Sequence, residues 1–244
     1  MKKLILASAI AAIAAGSANA ATVYEGNGLK YQVKGDFQIQ LRQDIGDDQE
    51  LDVEFDDLEI KNTITYDLGD DLQAFGQLDF GFKEDAEGID DGSDLEEAYV
   101  GLKYGAVSVA IGKMDFASDS FGVDRSYESA PGVAEDRFDA QGTNGDDVIR
   151  LNANLENFTV IASYEVEAEG ETSGTNGEYF DLYVGTEIAG IELAAAYQEK
   201  TAVASSSEDT WGLSATYDAG FATLAADFST SDLNTHEVDQ YNLV

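Results

Sequence analysis

The sequence has no cysteine, one proline and one histidine. The absence of cysteine excludes disulfides, a thiol nucleophile and cysteine-ligated metals. The single histidine, His236, lies in a polar segment without a nucleophile motif such as G-x-S-x-G, so a Ser-His-Asp centre is not predicted. Among 49 acidic residues, the sequence singles out no carboxylate pair for glycoside hydrolysis. The sequence therefore predicts no enzyme activity and no cofactor.

Positive charge is also scarce. The chain has 13 basic and 49 acidic residues and a formal net charge of −36. Binding to nucleic acid requires clustered Lys and Arg, so nucleic acid is excluded as a partner. Strong acidity indicates disorder when aromatic residues are few. Here 12 Tyr, 12 Phe and an apolar content of 43% predict a folded chain.

Long hydrophobic runs are missing as well. After residue 20 no segment approaches 18 consecutive apolar residues, which excludes helical membrane spans. The N-terminus has Lys2 and Lys3, a short apolar stretch from Leu4 to Ala15, and the small-residue site Ala18-Asn19-Ala20. This pattern predicts a signal peptide over residues 1–20 with cleavage after Ala20. Loss of Lys2 and Lys3 would leave 11 basic residues and a net charge of −38.

The dominant pattern in the remaining chain has a period of two residues, which predicts β-strands with two different faces. From Tyr31 to Arg42, five of the six odd positions are apolar or aromatic and every even position is polar. Twelve such residues exceed most strands of soluble sandwiches and match a membrane-spanning strand of about 9–11 residues. The pattern predicts about twelve strands, which include residues 57–66, 72–82, 98–104, 107–111, 149–155, 158–165, 180–186, 191–198, 211–218, 221–228 and a last strand from 237.

Short and long connections alternate between these strands. The short turns are at 69–71, 105–106, 156–157, 189–190 and 219–220, and the long acidic loops are at 43–54, 83–95, 114–146, 166–177, 199–209 and 229–236. This alternation is typical of outer-membrane barrels, and a secreted β-sandwich does not explain it. The single proline, Pro131, lies in the longest loop. We predict an all-β, transmembrane antiparallel β-barrel over residues 21–244.

Several short motifs resemble the general diffusion porins of Gram-negative bacteria, in particular those of Vibrio and marine gammaproteobacteria. They are Ala21-Thr22-Val23-Tyr24, Gly28-Leu29, Val33-Lys34-Gly35, Ala98-Tyr99-Val100-Gly101-Leu102-Lys103-Tyr104, Gly112-Lys113 and Phe121-Gly122-Val123-Asp124. Their spacing covers the chain from residue 21 to about 165. The resemblance implies location in the outer membrane, contact with its lipid, passage of small hydrophilic solutes, a homotrimer, and a third loop (114–146) folded into the pore.

The resemblance also implies sixteen strands and a terminal aromatic residue. The sequence instead stops at Asn242-Leu243-Val244, inside a strand pattern. We therefore expect a C-terminally truncated porin, with a twelve-stranded barrel as the alternative.

The candidate site residues are charged groups that line the predicted pore. By resemblance, the acidic side of the constriction is assigned to the third loop. The loop candidates are Asp115, Asp119, Asp124 and Glu128. For any one of them, the alternative is an acid that is merely exposed to solvent. Strand parity and resemblance assign to the pore wall Lys34, Arg42, Asp57, Glu59, Lys61, Glu96 and Arg150. Asp57 and Glu96 stand where relatives often have Arg, and Ser120 stands where the family has an acid, so the constriction is predicted to be net negative.

These features predict a cation-preferring diffusion pore. The alternative is a non-conducting barrel that acts as an adhesin or as a receptor for phage or host molecules. The acidic run Asp90-Asp91-Gly92-Ser93-Asp94 lacks the ligand spacing of an EF-hand, so no specific metal site is predicted.

Overall fold

The computed structural model describes residues 20–42, 50–83, 86, 94–123, 134–166, 178–201, 207–233 and 235–244. The signal peptide predicted for residues 1–20 lies outside this part of the chain except for Ala20. Within the described ranges, no helix has the length and hydropathy that a membrane crossing requires.

The described residues form one sheet of thirteen strands, and each strand neighbours the strands before and after it in the sequence. The strands are β1 (Ala21–Gly26), β2 (Leu29–Arg42), β3 (Asp52–Gly69), β4 (Leu72–Gly81), β5 (Asp94–Tyr104), β6 (Val107–Asp115), β7 (Asn144–Asn154), β8 (Thr159–Glu165), β9 (Glu178–Ile188), β10 (Ile191–Thr201), β11 (Ser207–Asp218), β12 (Thr223–Asp232) and β13 (Glu237–Leu243). A 3-10 turn (Ala117–Ser120) and a short helix, α1 (Arg137–Gln141), lie between β6 and β7.

The structure has one strand more than the twelve that sequence analysis delineated. The strand that sequence analysis missed is β1, whose six residues are too few to show a clear alternation. A tight turn joins β1 to β2 through Asn27 and Gly28, whose φ angles are 51° and 80°. Two consecutive positive φ angles match the twist of a hairpin. The predicted loop 114–146 is also too wide, because β6 runs through Asp115 and β7 begins at Asn144.

The chain divides into two compact units. The first contains residues Met1–Leu68 and Phe75–Ala98, and the second contains Gly69–Ala74 and Tyr99–Val244. The first unit carries β1, β2, most of β3 and β4, and the start of β5 through Ala98. The second carries the turn between β3 and β4, the rest of β5, the strands β6 to β13, and the segment between β6 and β7.

The burial pattern is the reverse of that in a soluble protein. Large apolar side chains are exposed, among them Leu102 at 53% and Ile111 at 54%. Polar side chains on the opposite face are buried, including Asp79, Asp181 and Gln198. An apolar outer face and a polar inner face are the pattern of a sheet that lies in lipid. The predicted two-residue period is thereby confirmed.

Asn62 is a polar residue on the apolar face of β3. The Tyr31 hydroxyl donates to its Oδ1 over 2.7 Å, and its Nδ2 lies 3.4 Å from the backbone oxygen of Leu78. A polar group that faces lipid must satisfy its hydrogen bonds within the protein. This local network explains how Asn62 is tolerated in a position where the alternation requires an apolar residue.

Candidate functional site

The segment between β6 and β7 folds back over the polar face of the second unit. We call its described residues, 116–123 and 134–143, the anchored loop. Its two ends meet where the backbone N–H of Phe116 donates to the oxygen of Thr143 over 2.6 Å. Arg150 fixes the same point, because its Nη1 donates to the backbone oxygen of Asp115 over 2.9 Å. The base of the loop is therefore closed by hydrogen bonds.

The wall beneath the loop presents one row of polar residues in direct cross-strand register. We call it the anchor row, and it contains Arg150, Ser163, Asp181, Gln198, Thr210 and Ser231 from β7 to β12. Neighbouring residues in such a row lie close enough to share partners. The row therefore offers a continuous line of hydrogen-bonding groups to the loop.

The 3-10 turn binds the centre of the anchor row. The backbone N–H of Ala117 donates to Ser163 Oγ over 2.8 Å. Asp181 Oδ2 accepts from both the backbone N–H and the hydroxyl of Ser118. Gln198 Nε2 donates to the same carboxylate oxygen over 3.1 Å and to the backbone oxygen of Gly142 over 2.9 Å. These side chains are fully buried, so their hydrogen bonds hold the loop out of solvent.

Helix α1 binds the last strands. The backbone N–H of Arg137 donates to Ser229 Oγ over 3.1 Å, and its Nε donates to Ser231 Oγ over 3.3 Å. On β13, Gln240 and Asn242 each donate to the backbone oxygen of Glu135 over 2.7 Å. The anchored loop thus contacts strands from β7 to β13.

Aromatic packing adds to this attachment. The rings of Phe121 and Phe138 lie 4.9 Å apart and pack with Ala196. Phe121 also lies over Gly212 of β11, where an added Cβ would come within 2.5 Å of its ring. The absence of a side chain at Gly212 lets the loop approach the wall.

We expect Gly212→Val to weaken the docking of the loop. The added side chain occupies the place of the Phe121 ring, and such overpacking costs about 1–3 kcal/mol. The measurement is the rate at which a thiol reagent labels Ser118→Cys in the two backgrounds, since Ser118 is buried only while the loop is docked. Ala195→Val, which introduces the same side chain at an exposed position on the outer face of β10, is the control. Equal labelling in all backgrounds would contradict the packing role.

Asp136 is the N-cap of α1 and is buried. Its carboxylate accepts from the backbone N–H groups of Phe138 and Asp139, at 2.7 and 3.0 Å. Burial raises the pKa of Asp136 to about 7, and the nearby Asp227 carboxylate acts in the same direction. The docked loop therefore retains a proton that an undocked loop releases near the ordinary pKa of about 4.

This shift predicts that docking weakens as the pH rises from about 4 through about 7, because only the docked loop holds the proton in that window. Trypsin cleavage after Arg137 should then be faster at pH 8 than at pH 6. Asp136→Asn keeps the helix cap without a charge and should remove this pH dependence of docking. Because trypsin activity itself changes with pH, the same variant also serves as the reference for the cleavage rate. If both proteins respond equally to pH, Asp136 is not responsible.

A cavity of about 580 Å³ lies beside the 3-10 turn, within the second unit. Ser120 and Gly122 line it on the side of the loop, and Glu187, Glu192 and Thr216 line it on the side of the wall. Glu187 and Glu192 are directly opposite each other on β9 and β10. The space that the loop leaves open is therefore polar and acidic.

The polar face of the first unit carries a dense group of charges. Lys61 Nζ lies 2.7 Å from Asp79, 3.7 Å from Glu97 and 3.9 Å from Glu59. Lys34 pairs with Asp36 at 3.6 Å. We call the five acids of this region the acidic cluster. They are Asp36, Glu59, Asp79, Glu96 and Glu97.

The structure brings together several of the predicted wall residues. Lys34, Glu59, Lys61 and Glu96 all lie in or beside the acidic cluster. Arg150 contacts the base of the anchored loop. The side chains of Arg42 and Asp57 lie outside the described part of the structure.

The predicted loop acids are separated. Asp115 is the last residue of β6 and not a loop residue, because pairing with Asn144 extends the strand to it. Asp119 is exposed on the 3-10 turn. Asp124 and Glu128 lie outside the described residues. The role of all four at a constriction stays a prediction.

Of the anchor row, sequence analysis singled out Arg150 alone. Ser163, Asp181 and Gln198 lie on the polar face by parity, but parity alone does not say which residues of neighbouring strands are opposite each other. That alignment depends on turn geometry and register. The sequence contained only a weak indication: a Ser, an Asp and a Gln occupy similar positions along three consecutive strands.

A sheet with an exposed apolar face, and with a long segment docked on its polar face, defines an outer-membrane β-barrel of the general porin type. A family model described as Gram-negative porin matches residues 7–244, and the chain belongs to this family. It is an outer-membrane protein.

Comparison with individual proteins points to the same family. The chain is 31% identical over 151 residues to Porin-like protein H of Photobacterium profundum, which covers 62% of this chain and 43% of that protein. It is 30% identical to the Monosaccharide porin of a Halomonas species, over 98% of this chain and 62% of that protein. The chain thus spans between about two fifths and three fifths of the length of these relatives.

A solved structure shows the same fold. The anion-selective porin from Comamonas acidovorans superimposes with a TM-score of 0.67 at 17% identity, over 88% of this chain and 72% of that chain. The predicted family and fold class are confirmed.

Proposed function

We propose that the protein forms a water-filled channel for passive diffusion of small hydrophilic solutes and ions across the outer membrane. The observation that carries the proposal is the anchored loop, which occupies the polar face of the sheet and leaves an open acidic cavity beside it. A docked segment narrows a lumen without filling it, and family and fold point to a channel rather than to an enzyme. Assembly as a homotrimer, as in the family, is part of this proposal.

The channel is proposed to prefer cations. In the first unit, the five acids of the acidic cluster surround two lysines, so Lys34 and Lys61 contribute no excess positive charge. In the second unit, Glu187 and Glu192 face the cavity and Arg150 is bound to the loop base. Fixed negative charge along a narrow aqueous path concentrates cations and repels anions.

The structural neighbour described as anion-selective shares the fold of this chain at only 17% identity. Selectivity depends on the charges that line a pore. Two proteins with the same fold but such different sequences need not have the same charges there. The net charge of −36 supports the opposite preference for this chain.

Replacing Asp115 and Asp119 together by Asn tests the constriction. We expect the preference for K⁺ over Cl⁻ to fall, most clearly at low salt, because charges at a narrow point are screened less than charges at the mouth. Reversal potentials in planar bilayers under a KCl gradient measure this preference. The matched control removes two acids of the predicted loop 166–177, Glu167 and Glu169. Equal effects of the two pairs would contradict the assignment.

A further inference from the structure

Three carboxylates of the acidic cluster converge on one point of the first unit. Glu59, Asp79 and Glu96 each offer one oxygen, and these oxygens all lie within 4.8 Å of one another. Glu59 and Asp79 project from the rigid strands β3 and β4, and Glu96 belongs to β5. Three acids this close repel one another, and Lys61, 2.7 Å from Asp79 and 3.9 Å from Glu59, places one positive charge beside them.

Gly81 makes room for one of these acids. A Cβ added at Gly81 would collide with the carboxylate of Glu96. Gly81 lies two residues after Asp79 on the same face of β4, so the missing side chain lets Glu96 lie against the strand beside Asp79. The backbone thus provides a cradle for the third carboxylate.

Asp79 supplies an independent indication of a ligand. Its side chain is 1% exposed, and its Oδ2 binds Lys61 over 2.7 Å. Its other oxygen, Oδ1, receives no hydrogen bond from any residue that the structure describes. A buried carboxylate oxygen without a partner carries a substantial free-energy cost, which a bound cation removes.

The register of β2 and β3 adds a further observation. Asp36 is directly opposite Glu59, and Lys34 is directly opposite Lys61, so like charges face each other across β2 and β3. Such pairs destabilise a sheet. This arrangement is unfavourable for stability alone and favourable for holding an additional positive ion.

We propose that Glu59, Asp79 and Glu96 bind a Ca²⁺ ion on the polar wall, beside Lys61. Carboxylate oxygens lie about 2.3–2.6 Å from Ca²⁺, so two ligands of one ion are separated by up to about 5 Å. Mg²⁺ binds at about 2.0–2.1 Å, and its ligands are separated by up to about 4 Å. Oxygens that all lie within 4.8 Å of one another are close enough to share one divalent ion. A set of three carboxylates favours Ca²⁺, which accepts several oxygen ligands in flexible geometry, over Mg²⁺, which keeps its waters and usually binds one or two carboxylates. Sequence analysis predicted no metal site here, because the ligands come from three strands and not from one loop.

Calcium binding is measured by isothermal titration of the detergent-purified, EDTA-treated protein with CaCl₂ and with MgCl₂, a readout that does not depend on conduction. We expect one Ca²⁺ per chain with a dissociation constant of about 0.1–1 mM, as for extracellular calcium modules, and weaker binding of Mg²⁺. The double substitution Glu59→Gln and Asp79→Asn should abolish it. The matched control, Glu187→Gln with Glu192→Gln, removes two facing acids of the second unit and should leave it intact.

Two further variants separate geometry from charge. Gly81→Val keeps every acid but displaces Glu96, and should weaken Ca²⁺ binding. Lys61→Met removes the neighbouring ammonium and should tighten binding about tenfold. Heat-modifiable migration in gels verifies that each variant is folded. Absence of Ca²⁺ binding in the unaltered protein, equal loss in the control pair, or no effect of Gly81→Val overturns the proposal. A channel that conducts but binds no Ca²⁺ would refute the site and leave the proposed function standing.

Discussion

Asp181→Ala is expected to release the anchored loop and raise the single-channel conductance of the protein. The carboxylate accepts three hydrogen bonds, two from Ser118 and one from Gln198. The substitution leaves the backbone N–H and the hydroxyl of Ser118 without this acceptor, while Gln198 Nε2 keeps the backbone oxygen of Gly142. Each unsatisfied buried group costs about 1–3 kcal/mol. A total of several kcal/mol is comparable to the stability of a locally docked segment.

Planar-bilayer recordings of the purified protein test this expectation. A released loop should widen the aqueous path, increase the conductance and add current noise. Asp239→Ala, which removes an exposed acid of β13, is the matched control for the loss of one charge. A conductance that is unchanged in Asp181→Ala, or that changes equally in the control, would show that the anchor row does not hold the loop.

Ile39→Arg is expected to destabilise the barrel by about 2–4 kcal/mol if the residue lies near the middle of the bilayer. Ile39 is on the apolar face of β2 and is 45% exposed. Its environment in the membrane is hydrocarbon, where a guanidinium group loses its hydration. The free energy of unfolding in lipid vesicles, measured by urea titration, reports this cost.

The adjacent position supplies the control. Gln38 is on the polar face and is paired in register with Asp57, so Gln38→Arg places the same charge toward water and opposite an acid. It should cost little. Comparable destabilisation by the two substitutions would contradict the assignment of the two faces at this strand.

The sequence was sufficient to predict which residues lie on each face of a strand. It was not sufficient to predict which residues of neighbouring strands lie opposite each other. The alternation from Tyr31 to Arg42 predicted β2, because each side chain encounters either lipid or water. The anchor row could not be predicted, because the register of β8, β9 and β10 emerges from the turns and from pairing along whole strands. For the same reason Lys61 was identified as a wall residue, while its enclosure by Asp79 and Glu97 was not.

The ends of the anchored loop are a second feature that sequence analysis did not predict. Sequence analysis ended β6 at Lys113 and assigned Asp115 to the acidic loop 114–146. The structure extends the strand by pairing Asp115 with Asn144. A charged residue at the end of a barrel strand remains in water, so polarity there does not mark the end of pairing. Asp136 shows the same limitation: it was one of many loop acids in the sequence, and only its burial makes it distinctive.

The proposal of an open, cation-preferring channel is tested most directly by reversal potentials. They are recorded in planar bilayers under a KCl gradient with the protein purified from outer membranes. We predict discrete conductance steps and a reversal potential with the sign of K⁺ preference, larger at low salt because screening is weaker. A protein that inserts without conducting, or a reversal potential with the sign of Cl⁻ preference, would contradict the claim.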